Sequence, residues 1–589
     1  MDYLTRFLER LELLGNRQVP QSEALDQKQV KNTAGGYSWK VDDMMRLRRF
    51  LILGSDGGTY YTGEKQLTIE NAQVIVRLIE QGKGVDVVRE LLDVSESGCA
   101  AKQNPTMLAL ALCARYKVAD QGVKIMKNAA ESVRERAEYL DLLQQTAYVA
   151  FHRVCRIPTH VFTFVEYCEL ISKETAEKAK STGWGRRHRT AIAEWYFGRN
   201  ALDVAMAVTK YQQRNGWSHR DLLRLTHAKP GLDQSDHDDV FCFTVKGYDA
   251  LKERSRKRKA EDPAAAELPE HTKKVRRFLT AVDTMKRSAD DEQAAQLINQ
   301  FGLVREHVPT ALLNSVTVWE ALLNKMPMTA LMRNLAKMTA IGVLATNTER
   351  TQQVVDQLTN ADNLKRARVH PFNVLLALNT YKKGAGEKGK LTWQPVSAIV
   401  EALEQAFYGS FENVQPTGQR FCLALDVSGS MSSQIMGSPL SCREAAAAMS
   451  LLTMRTEENC KMVAFETSLT EMPVSKSWDL NKIVKYTRGR PFGGTDCAQP
   501  MIWATRRGLK FDVFVVYTDS ETWAGKVHPA EALRQYRKSS GIAHARLIVV
   551  GLAANEFSIA DPQDPGMLDV VGFDSAAPTV MHDFVMGKI

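Results

Sequence analysis

Hydroxyl and carboxylate side chains occur together at three places in the last third of the sequence. Asp426, Ser428 and Ser430 alternate in the segment DVSGSMS, Thr495 lies in GGTD, and Asp519 lies in YTDSE. An extended turn with alternating oxygen side chains can direct several of them toward one point. Such ligands suit hard cations, so the pattern predicts a site for Mg²⁺, with Mn²⁺ or Ca²⁺ as alternatives. The other interpretation is a turn whose serines cap a helix.

A second group of residues combines positive charge with aromatic rings. Residues 151–230 contain 14 Lys and Arg against 7 Asp and Glu. Basic side chains contact phosphates and aromatic rings stack on unpaired bases, so this mixture indicates RNA binding. The alternative is that the tryptophans are core residues and the arginines are solvated. The candidate RNA-binding residues are Arg156, Lys180, Arg186, Arg187, His188, Arg189, Lys210, Arg214, Trp217, His219, Arg220 and Arg224.

These two groups lie in parts of the chain that differ in charge. The whole chain of 589 residues has a net charge of +9, but residues 401–589 carry −3 and the preceding residues carry +12. Residues 151–230 alone carry +7. The distribution therefore predicts RNA contacts in the earlier part and a cation site in the later part.

The earlier part has the apolar spacing of helices. From about residue 41 to 405, apolar residues recur every three or four positions, as in 69–81, 309–326 and 328–338. This is typical of helix pairs stacked in an array. The glycine-rich segment 54–66 predicts a short hairpin or loop, and 254–270 predicts an exposed connection.

After residue 415, short apolar runs alternate with amphipathic segments. This alternation predicts a doubly wound α/β fold with a parallel sheet, whose ligands bind at the carboxyl ends of the strands. Asp426 lies at the end of one of these strands, Asp519 follows another, and Thr495 precedes a helix. We expect strands at 421–427, 461–465, 512–518 and 546–552, and helices at 442–455, 497–507 and 528–538.

Several classes of protein do not fit the sequence. Residues 1–18 have the pattern of a charged amphipathic helix and lack the apolar core of a signal peptide, and no apolar run is long enough for a membrane span. The nine cysteines form no C-x-x-C pair, which predicts reduced thiols in a cytoplasmic protein, with a nuclear pool as a further expectation, and no structural zinc. Phosphate-binding loops and nucleophile-elbow motifs are absent from the sequence, so we expect no enzymatic activity.

The oxygen-bearing segments resemble the metal-ion-dependent adhesion site of von Willebrand factor A domains. The resemblance implies that Ser428, Ser430 and Thr495 ligate the metal directly, whereas Asp426 and Asp519 act through water. It also implies that one coordination position is left for an acidic group of a protein partner.

Almost the whole chain, including the α/β part, resembles the TROVE-domain family of ribonucleoproteins. The segments that carry the resemblance, in the order of the family, are GYSWKVDDMMRLRRFLILGSDGGTYY, CRIPTHVFTF, NGWSHRDLLRLTH, LVREHVP, MPMTALMRNLAKMTA, RVHPF and VHPAEALRQYRK. The implied fold is multidomain, with an α-solenoid ring of HEAT-like helical repeats joined to a Rossmann-like α/β domain. The expected boundaries are 1–35 for an N-terminal extension, 36–410 for the ring and 415–589 for the von Willebrand A-like domain.

The resemblance implies a ribonucleoprotein component without enzymatic activity. Such a protein binds Y RNAs on the outer surface of its ring and single-stranded 3′ ends of misfolded small non-coding RNAs in the cavity, in RNA quality control and Y RNA stabilisation. We expect it to be monomeric within the ribonucleoprotein and not to bind membranes. The alternative is a metal-dependent protein-interaction scaffold whose A domain grips an acidic partner residue. The first 20 or so residues and segment 254–270 have no counterpart in the family.

Overall fold

The structure, a computed structural model, forms two compact units. Among the described residues, one unit contains those up to Val74, Cys99–Lys102 and those after Phe411. The other contains Ile75–Gly98 and Gln103–Ser410. The predicted helix at 1–18 lies outside the described residues, except for its last position. The described residues are 18–116, 130–174, 184–231, 233–261, 268–367, 369–386, 390–410, 415–488, 493–574 and 576–589.

The first unit is built on a six-stranded sheet, in the strand order β11-β9-β8-β5-β6-β7. Five strands run parallel and β7 pairs antiparallel with β6, so the sheet is mixed rather than wholly parallel as expected. The central strands are mostly apolar, because helices cover both faces of the sheet. The predicted α/β fold is confirmed. The strands are β5 (Arg420–Asp426), β6 (Asn459–Phe465), β7 (Leu469–Met472), β8 (Val513–Thr518), β9 (Arg546–Gly551) and β11 (Met567–Val571).

A second sheet in the first unit includes residues from early in the chain. Strand β1 (Gln29–Lys31) pairs with β2 (Tyr37–Lys40), and β2 pairs with β10 (Phe557–Ser558). Residues 36–74, expected at the start of the helical ring, thus belong to the α/β unit in the structure. The expected domain boundaries themselves stay a prediction.

The helix after this small sheet packs on strand β11 through a buried arginine. Arg49 is on helix α1 (Asp43–Leu53), and its guanidinium pairs with the Asp569 carboxylate at 2.6 Å. It also donates to the Asn555 side chain at 2.9 Å. Such a buried pair fixes the position of α1, because removing either partner would leave a charge unpaired. The other helices that lie wholly in this unit are α20 (Cys442–Thr456), α21 (Leu480–Arg488), α22 (Gln499–Arg506), α23 (Pro529–Ser540) and α24 (Ala577–Val585).

The second unit is a helical array in which helices pack on others close in the sequence. Helix α4 packs on α3, α5 and α6, and further along α13 packs on α14 and α18 on α19. This arrangement confirms the predicted helical repeats. The helices are α2 (Glu64–Glu80), which begins in the first unit, α3 (Gly84–Ser97), α4 (Asn104–Arg115), α5 (Ala130–Val154), α6 (Pro158–Glu174), α7 (Arg186–Phe197), α8 (Ala201–Lys210), α9 (His219–Thr226), α10 (Ser235–Lys246), α11 (Tyr248–Glu261), α12 (Glu270–Arg287), α13 (Asp291–Phe301), α14 (Val316–Leu323), α15 (Met328–Ala340), α16 (Glu349–Thr359), α17 (Ala361–Arg366), α18 (Pro371–Lys383) and α19 (Ser397–Gly409).

Two segments of the helical unit differ from expectation. The basic run in 254–270 continues helix α11 as far as Glu261, so this part is helical rather than a connection between elements. The single helix expected at 309–326 is instead a 3₁₀ turn (Thr310–Asn314) followed by α14, because Ser315 caps a new helix by accepting from the Val318 N–H. In the described ranges, every helix falls short of the length and apolarity needed to cross a bilayer.

Candidate functional site

The turn after strand β5 brings three of the predicted metal ligands together. One carboxylate oxygen of Asp426 accepts a hydrogen bond from the Ser428 N–H at 2.9 Å, and the other accepts one from the Thr518 hydroxyl at 2.6 Å. The hydroxyl oxygens of Ser428 and Ser430 lie 3.2 Å apart. All of these residues are buried. The protein itself therefore fixes the orientation of this carboxylate and these hydroxyls.

Asp519 lies against the same turn, at the carboxyl end of strand β8, and accepts a hydrogen bond from the Ser430 hydroxyl. Burial, followed by the charges of Asp426 and Glu521, raises the pKa of Asp519 to about 8. Burial also raises the pKa of Asp426, despite its hydrogen bonds to Ser428 and Thr518. Carboxylates that share a buried space repel each other, and a cation among them relieves that repulsion.

Thr495 is positioned by the loop that follows strand β8. Its carbonyl oxygen accepts hydrogen bonds from the N–H groups of Trp523 and Ala524, both at 3.0 Å. Two residues further along, the Cys497 N–H donates to the Thr522 hydroxyl at 3.1 Å. The Thr495 side chain is buried, like the other four predicted ligands. These contacts tie the threonine loop to the strand end that carries the predicted aspartate.

An arginine supports the turn after strand β5. Arg443 of helix α20 is buried and donates to the carbonyl oxygens of Val427 at 2.9 Å and Ser428 at 3.3 Å. Its charge lowers the pKa of Asp426, but by less than burial raises it. These contacts hold the backbone of the turn and involve neither of its serine hydroxyls.

The predicted donor set consists of three hydroxyls and two carboxylates, which are all oxygen ligands. Hard divalent cations prefer such ligands, so the residues present fit a cation of the predicted type. Within the described part of the chain, no group of three or more His, Cys, Asp and Glu residues is arranged as a metal site. Any cation held here therefore depends on the serine and threonine hydroxyls.

Sequence reasoning missed Glu521, which is the third buried carboxylate of this cluster. It accepts hydrogen bonds from the Thr33 hydroxyl and, at 2.9 Å, from the Ala34 N–H. Burial raises the pKa of Glu521 to about 7. The motif TDSE contains this residue, but only the tertiary structure shows that a segment nearly 490 residues earlier covers it. We call Asp426, Asp519 and Glu521 the acidic cluster.

Nine of the twelve predicted RNA-binding residues lie in the second unit on a hairpin and on two helices beside it. Arg214 is in strand β3 (Gln213–Arg214) and pairs with Trp217 of β4 (Trp217–Ser218). The Trp217 ring lies 5.5 Å from the ring of Trp184, which precedes Arg186 by two residues. Helix α9 begins directly after the hairpin and packs on α7. The structure thus joins sequence segments that are about 30 residues apart into one surface.

Five of the predicted arginines are exposed on this surface. Arg187 pairs with Asp141 at 2.9 Å, whereas the other four form no ion pair with any residue that the structure describes. An arginine that is not engaged in an ion pair has its guanidinium available for a phosphate. The basic surface is defined by these four residues, Arg186, Arg214, Arg220 and Arg224.

A cleft of about 560 Å³ lies between helices α5 and α7 beside the basic surface. Arg186 and Arg187 line one side, and Tyr148, Val149 and His152 line the other. Val149 is 67% exposed and forms part of the wall of the cleft. The cleft therefore offers an apolar wall next to positive charge, which suits an unpaired base and its phosphate.

The structure places two of the predicted RNA-binding histidines in the core. His188 bonds to the Tyr148 hydroxyl at 3.1 Å, and His219 bonds to the Tyr196 hydroxyl at 2.7 Å. Both imidazoles are buried, and burial lowers the pKa of each to about 3. They are therefore neutral at pH 7 and hold the helices together rather than facing a ligand.

The remaining predicted RNA-binding residues are less accessible or fall outside the description. Arg156, Arg189 and Lys210 are half-buried, and Arg156 donates to the Ser95 carbonyl oxygen at 3.0 Å. Lys180 lies outside the described residues. The roles of these four in RNA contact stay predictions.

The two units define a class of protein in which a helical-repeat unit is joined to a von Willebrand A-type domain. Residues 30–380 match the TROVE domain and residues 420–585 match the Ro60 vWA domain. The chain therefore belongs to the RO60 family of TROVE-domain proteins, which confirms the resemblance found in the sequence.

Individual relatives agree with this assignment. A Caenorhabditis elegans protein named RNA-binding protein RO60 is 44% identical over 604 residues, which cover 97% of this chain and 92% of the relative. A Deinococcus radiodurans protein of the same name is 39% identical over 573 residues, covering 97% and 98%. The crystal structure of the Deinococcus radiodurans RO (RSR) protein is similar, with a TM-score of 0.63 and 37% identity over 93% of this chain and 100% of that one.

Proposed function

We propose that the helical unit of this protein binds RNA, namely Y RNAs on its outer surface and single-stranded 3′ ends of misfolded small non-coding RNAs in its cavity. The basic surface is the observation that supports the proposal best, because its four arginines are exposed and form no ion pair with a described residue. The name of the relatives, RNA-binding protein RO60, adds support. The implied role is small-RNA quality control and Y RNA stabilisation.

The chemistry of binding follows from the side chains. Guanidinium groups grip phosphate oxygens in pairs, so binding by the basic surface depends on the RNA backbone more than on its sequence. The cleft between α5 and α7 gives an unpaired base an apolar wall at Val149. A base-paired end presents no free base to that wall, so a single-stranded tail is the favoured ligand.

The direct test compares an RNA hairpin carrying a single-stranded 3′ tail with the same hairpin lacking the tail, in gel shifts with the full chain. Replacing Arg220 and Arg224 together with alanine removes two unpaired charges from one face of α9. We expect affinity for both RNAs to fall by more than tenfold at low salt, since counterion release drives such binding.

A matched control removes the same charge elsewhere in the helical unit. Lys273→Ala with Arg277→Ala deletes two positive charges at the same spacing on α12, where both side chains pair with Glu270. We expect this variant to lose less than threefold. Equal losses in the two variants, or an affinity independent of salt, would contradict RNA binding at the basic surface.

We propose a second function for the first unit, a metal-dependent scaffold that grips an acidic residue of a protein partner. The buried acidic cluster, with the hydroxyls of Ser428 and Ser430 beside it, supports this proposal. Ser428, Ser430 and Thr495 would hold Mg²⁺, or alternatively Mn²⁺ or Ca²⁺, with Asp426 and Asp519 behind them. The cation would supply an electrostatic anchor for the partner's carboxylate.

The scaffold is tested by affinity capture from ribonuclease-treated lysate, with and without a chelator. We expect at least one protein to be captured only when divalent cations are present, and its recovery to be lost in the Ser428→Ala variant. If the chelator does not change the recovery of captured protein, the result contradicts the scaffold function and does not affect the proposal of RNA binding.

A further inference from the structure

A buried glutamine near the beginning of the described chain contacts the two loops that carry Thr495 and Asp519. Gln21 is fully buried, whereas glutamines are mostly exposed in proteins. Its N–H donates to the Gly525 carbonyl oxygen at 2.9 Å, and its carbonyl oxygen accepts from the Tyr37 N–H at 2.8 Å. These backbone bonds join strand β2 to the loop after strand β8, and they place the Gln21 side chain among the loops of the candidate metal site.

The side-chain amide of Gln21 uses its whole hydrogen-bonding capacity. Its nitrogen donates to the Asp496 carboxylate and to the Val527 carbonyl oxygen, both at 2.8 Å. Its oxygen accepts from the Thr522 hydroxyl at 2.5 Å and from the Gly525 N–H at 3.3 Å. An amide offers two donor hydrogens and two acceptor lone pairs, so these four bonds fix its orientation.

The close approach of this amide depends on the glycine at position 525. A Cβ atom on Gly525 would lie 2.3 Å from a carboxylate oxygen of Asp496 and 2.3 Å from the amide nitrogen of Gln21. A side chain at this position would therefore collide with both groups, and glycine leaves the space open for their hydrogen bond. The contact between Gln21 and Asp496 is thus built into two distant segments of the sequence.

Both side-chain partners of Gln21 act on the loop that carries Thr495. Asp496 is the residue directly after it. The Thr522 hydroxyl lies 2.5 Å from the Gln21 oxygen and 3.4 Å from the Thr495 carbonyl oxygen, so its single proton is directed to Gln21. Its lone pairs then accept from the Cys497 N–H at 3.1 Å. Gln21 therefore restrains the backbone just after Thr495 through two separate contacts.

We propose that Gln21 is a positioning residue of the candidate metal site, which holds Thr495 in place for a cation by cross-linking the two loops. The inference rests on the proposed metal-dependent scaffold function of the first unit. A threonine hydroxyl carries no net charge to attract a cation, so its value as a ligand depends on being held at the right place by the groups behind it. The segment before strand β1 would thus form part of the site.

The experiment uses the full chain with Mn²⁺ as the metal probe, and affinity is measured from the free-ion electron paramagnetic resonance signal. Gln21→Met keeps the length of the side chain and removes its hydrogen bonds, Thr495→Val removes the hydroxyl of the predicted ligand, and a double variant combines them. The matched control is Gln29→Met. Gln29 is also buried, but its side chain bonds to the Leu25 N–H and to His528, which adjoin no predicted ligand.

We expect Gln21→Met to weaken Mn²⁺ binding by about tenfold, the lower end of the range for residues behind metal ligands, and Gln29→Met to stay within about twofold of the wild type. When Thr495 is already valine, adding Gln21→Met should change the affinity by less than about twofold, because a residue that acts through another has no further effect once that one is removed. The same loss with and without the Thr495 hydroxyl would overturn the proposal, as would equal losses in Gln21→Met and Gln29→Met.

A second variant tests the same contact without changing Gln21, in case Gln21→Met folds poorly. Thr522→Val keeps the shape of the side chain and removes the hydroxyl that links Gln21 to the Cys497 N–H. We expect it to weaken Mn²⁺ binding by about three- to tenfold, since it breaks one of the two contacts. Wild-type affinity in Thr522→Val would count against the positioning of Thr495 by Gln21.

The remaining outcomes separate this proposal from the function on which it rests. If the wild type binds Mn²⁺ and Gln21→Met binds it equally well, only the role of Gln21 is overturned. If the wild type binds Mn²⁺ and Thr495→Val binds it equally well, Thr495 is not a ligand and the role of Gln21 falls, while the cation site stands. If the wild type binds no Mn²⁺, the metal-dependent scaffold falls and the role of Gln21 falls with it.

Discussion

The acidic cluster and the basic surface are charged sites of opposite sign and opposite construction. In the acidic cluster, Asp426 and Asp519 are buried and hydrogen-bonded to protein groups. In the basic surface, Arg214 and Arg220 are exposed and form no ion pair with a described residue. One site converges on a point, and the other spreads over a hairpin and two helices.

This difference reflects what each site is suited to bind. A small cation needs several ligands at fixed distances, which only a buried and cross-linked set of loops provides. An extended polyanion needs charges at intervals along a surface, and exposed flexible arginines provide them without further support. The support in the helical unit is therefore placed beneath the surface, in the buried pairs that His188 and His219 make with tyrosines.

The largest expected effect is on cation binding at the candidate metal site. Replacing Ser428 and Ser430 together with alanine removes two proposed ligands, and we expect Mn²⁺ affinity to fall by about 100-fold or more, since even residues behind the ligands contribute 10- to 100-fold. Affinity for tailed RNA should remain within about twofold. Free-ion electron paramagnetic resonance and gel shifts measure the two quantities.

Ser432→Ala is the control for the double variant. Its hydroxyl is exposed and donates to the Gly429 carbonyl oxygen in the same turn at 2.6 Å, so it perturbs the turn without removing a predicted ligand. Unchanged Mn²⁺ affinity in the double variant would refute the predicted ligand set. A parallel loss of RNA affinity would show that the two sites are not independent.

Acidification should destabilise the region around His188 and His219 but not the acidic cluster. The folded pKa values of His188 and His219, about 3, lie below the 6.5 of an exposed histidine, so their contribution to stability is complete above pH 6.5 and is lost as the pH falls. By pH 5 the loss is about 2 kcal/mol for each histidine. Hydrogen exchange of peptides from residues 184–226 should rise accordingly.

In protein without a bound cation, acidification should have the opposite effect on stability at Asp519 from its effect at the buried histidines. Its folded pKa is raised, so protonation on acidification removes repulsion within the acidic cluster. Peptides around β5 and β8 should therefore not lose protection between pH 6.5 and 5. In the His188→Gln variant, hydrogen exchange of residues 184–226 should change less between pH 6.5 and 5. An equal change in exchange in residues 184–226 and in the peptides around β5 and β8 would contradict this prediction.

The smallest expected effect concerns the positioning of the exposed arginines. Ser218 and Asp221 form a capping box at the start of α9, with the Ser218 hydroxyl accepting from the Asp221 N–H at 3.3 Å. Ser218→Ala should destabilise the protein by about 1 kcal/mol and, by fraying the turn that carries Arg220, weaken RNA binding by about threefold. Urea unfolding and gel shifts measure these changes.

Ser315 provides the matched cap for comparison. It begins α14 with the same type of hydrogen bond, to the Val318 N–H at 3.4 Å, and α14 carries no candidate RNA-binding residue. Ser315→Ala should lower stability by a similar amount and leave RNA affinity unchanged. Weaker RNA binding in both variants would attribute the effect to global stability.

The four strands and three helices predicted after residue 415 agree with the structure within two residues at each end. The predicted strand 421–427 is Arg420–Asp426, and the predicted helix 442–455 is Cys442–Thr456. Strand β7 was missed because the four residues LTEM at a sheet edge have too little apolar pattern to stand out. The helix through the basic run 254–259 was missed because its composition suggests a solvated connection.

The sequence by itself determined the alternation of buried strands and helices, and with it the loops at the strand ends that carry Asp426, Thr495 and Asp519. It also determined where the positive charge is concentrated, and its motifs led to the family. These properties are local, since they depend on residue types and short spacings. Local pattern was sufficient for the fold class and for the candidate metal ligands.

Only the tertiary structure decided which of these residues are exposed and which distant segments meet. It buried His188 and His219 while leaving Arg220 exposed, although all three lie in similar basic stretches. It also brought the loop with Tyr60, and the segment with Thr33, to the acidic cluster. Burial and long-range contact depend on how whole elements pack, and a sequence pattern confined to one segment carries no information about that packing.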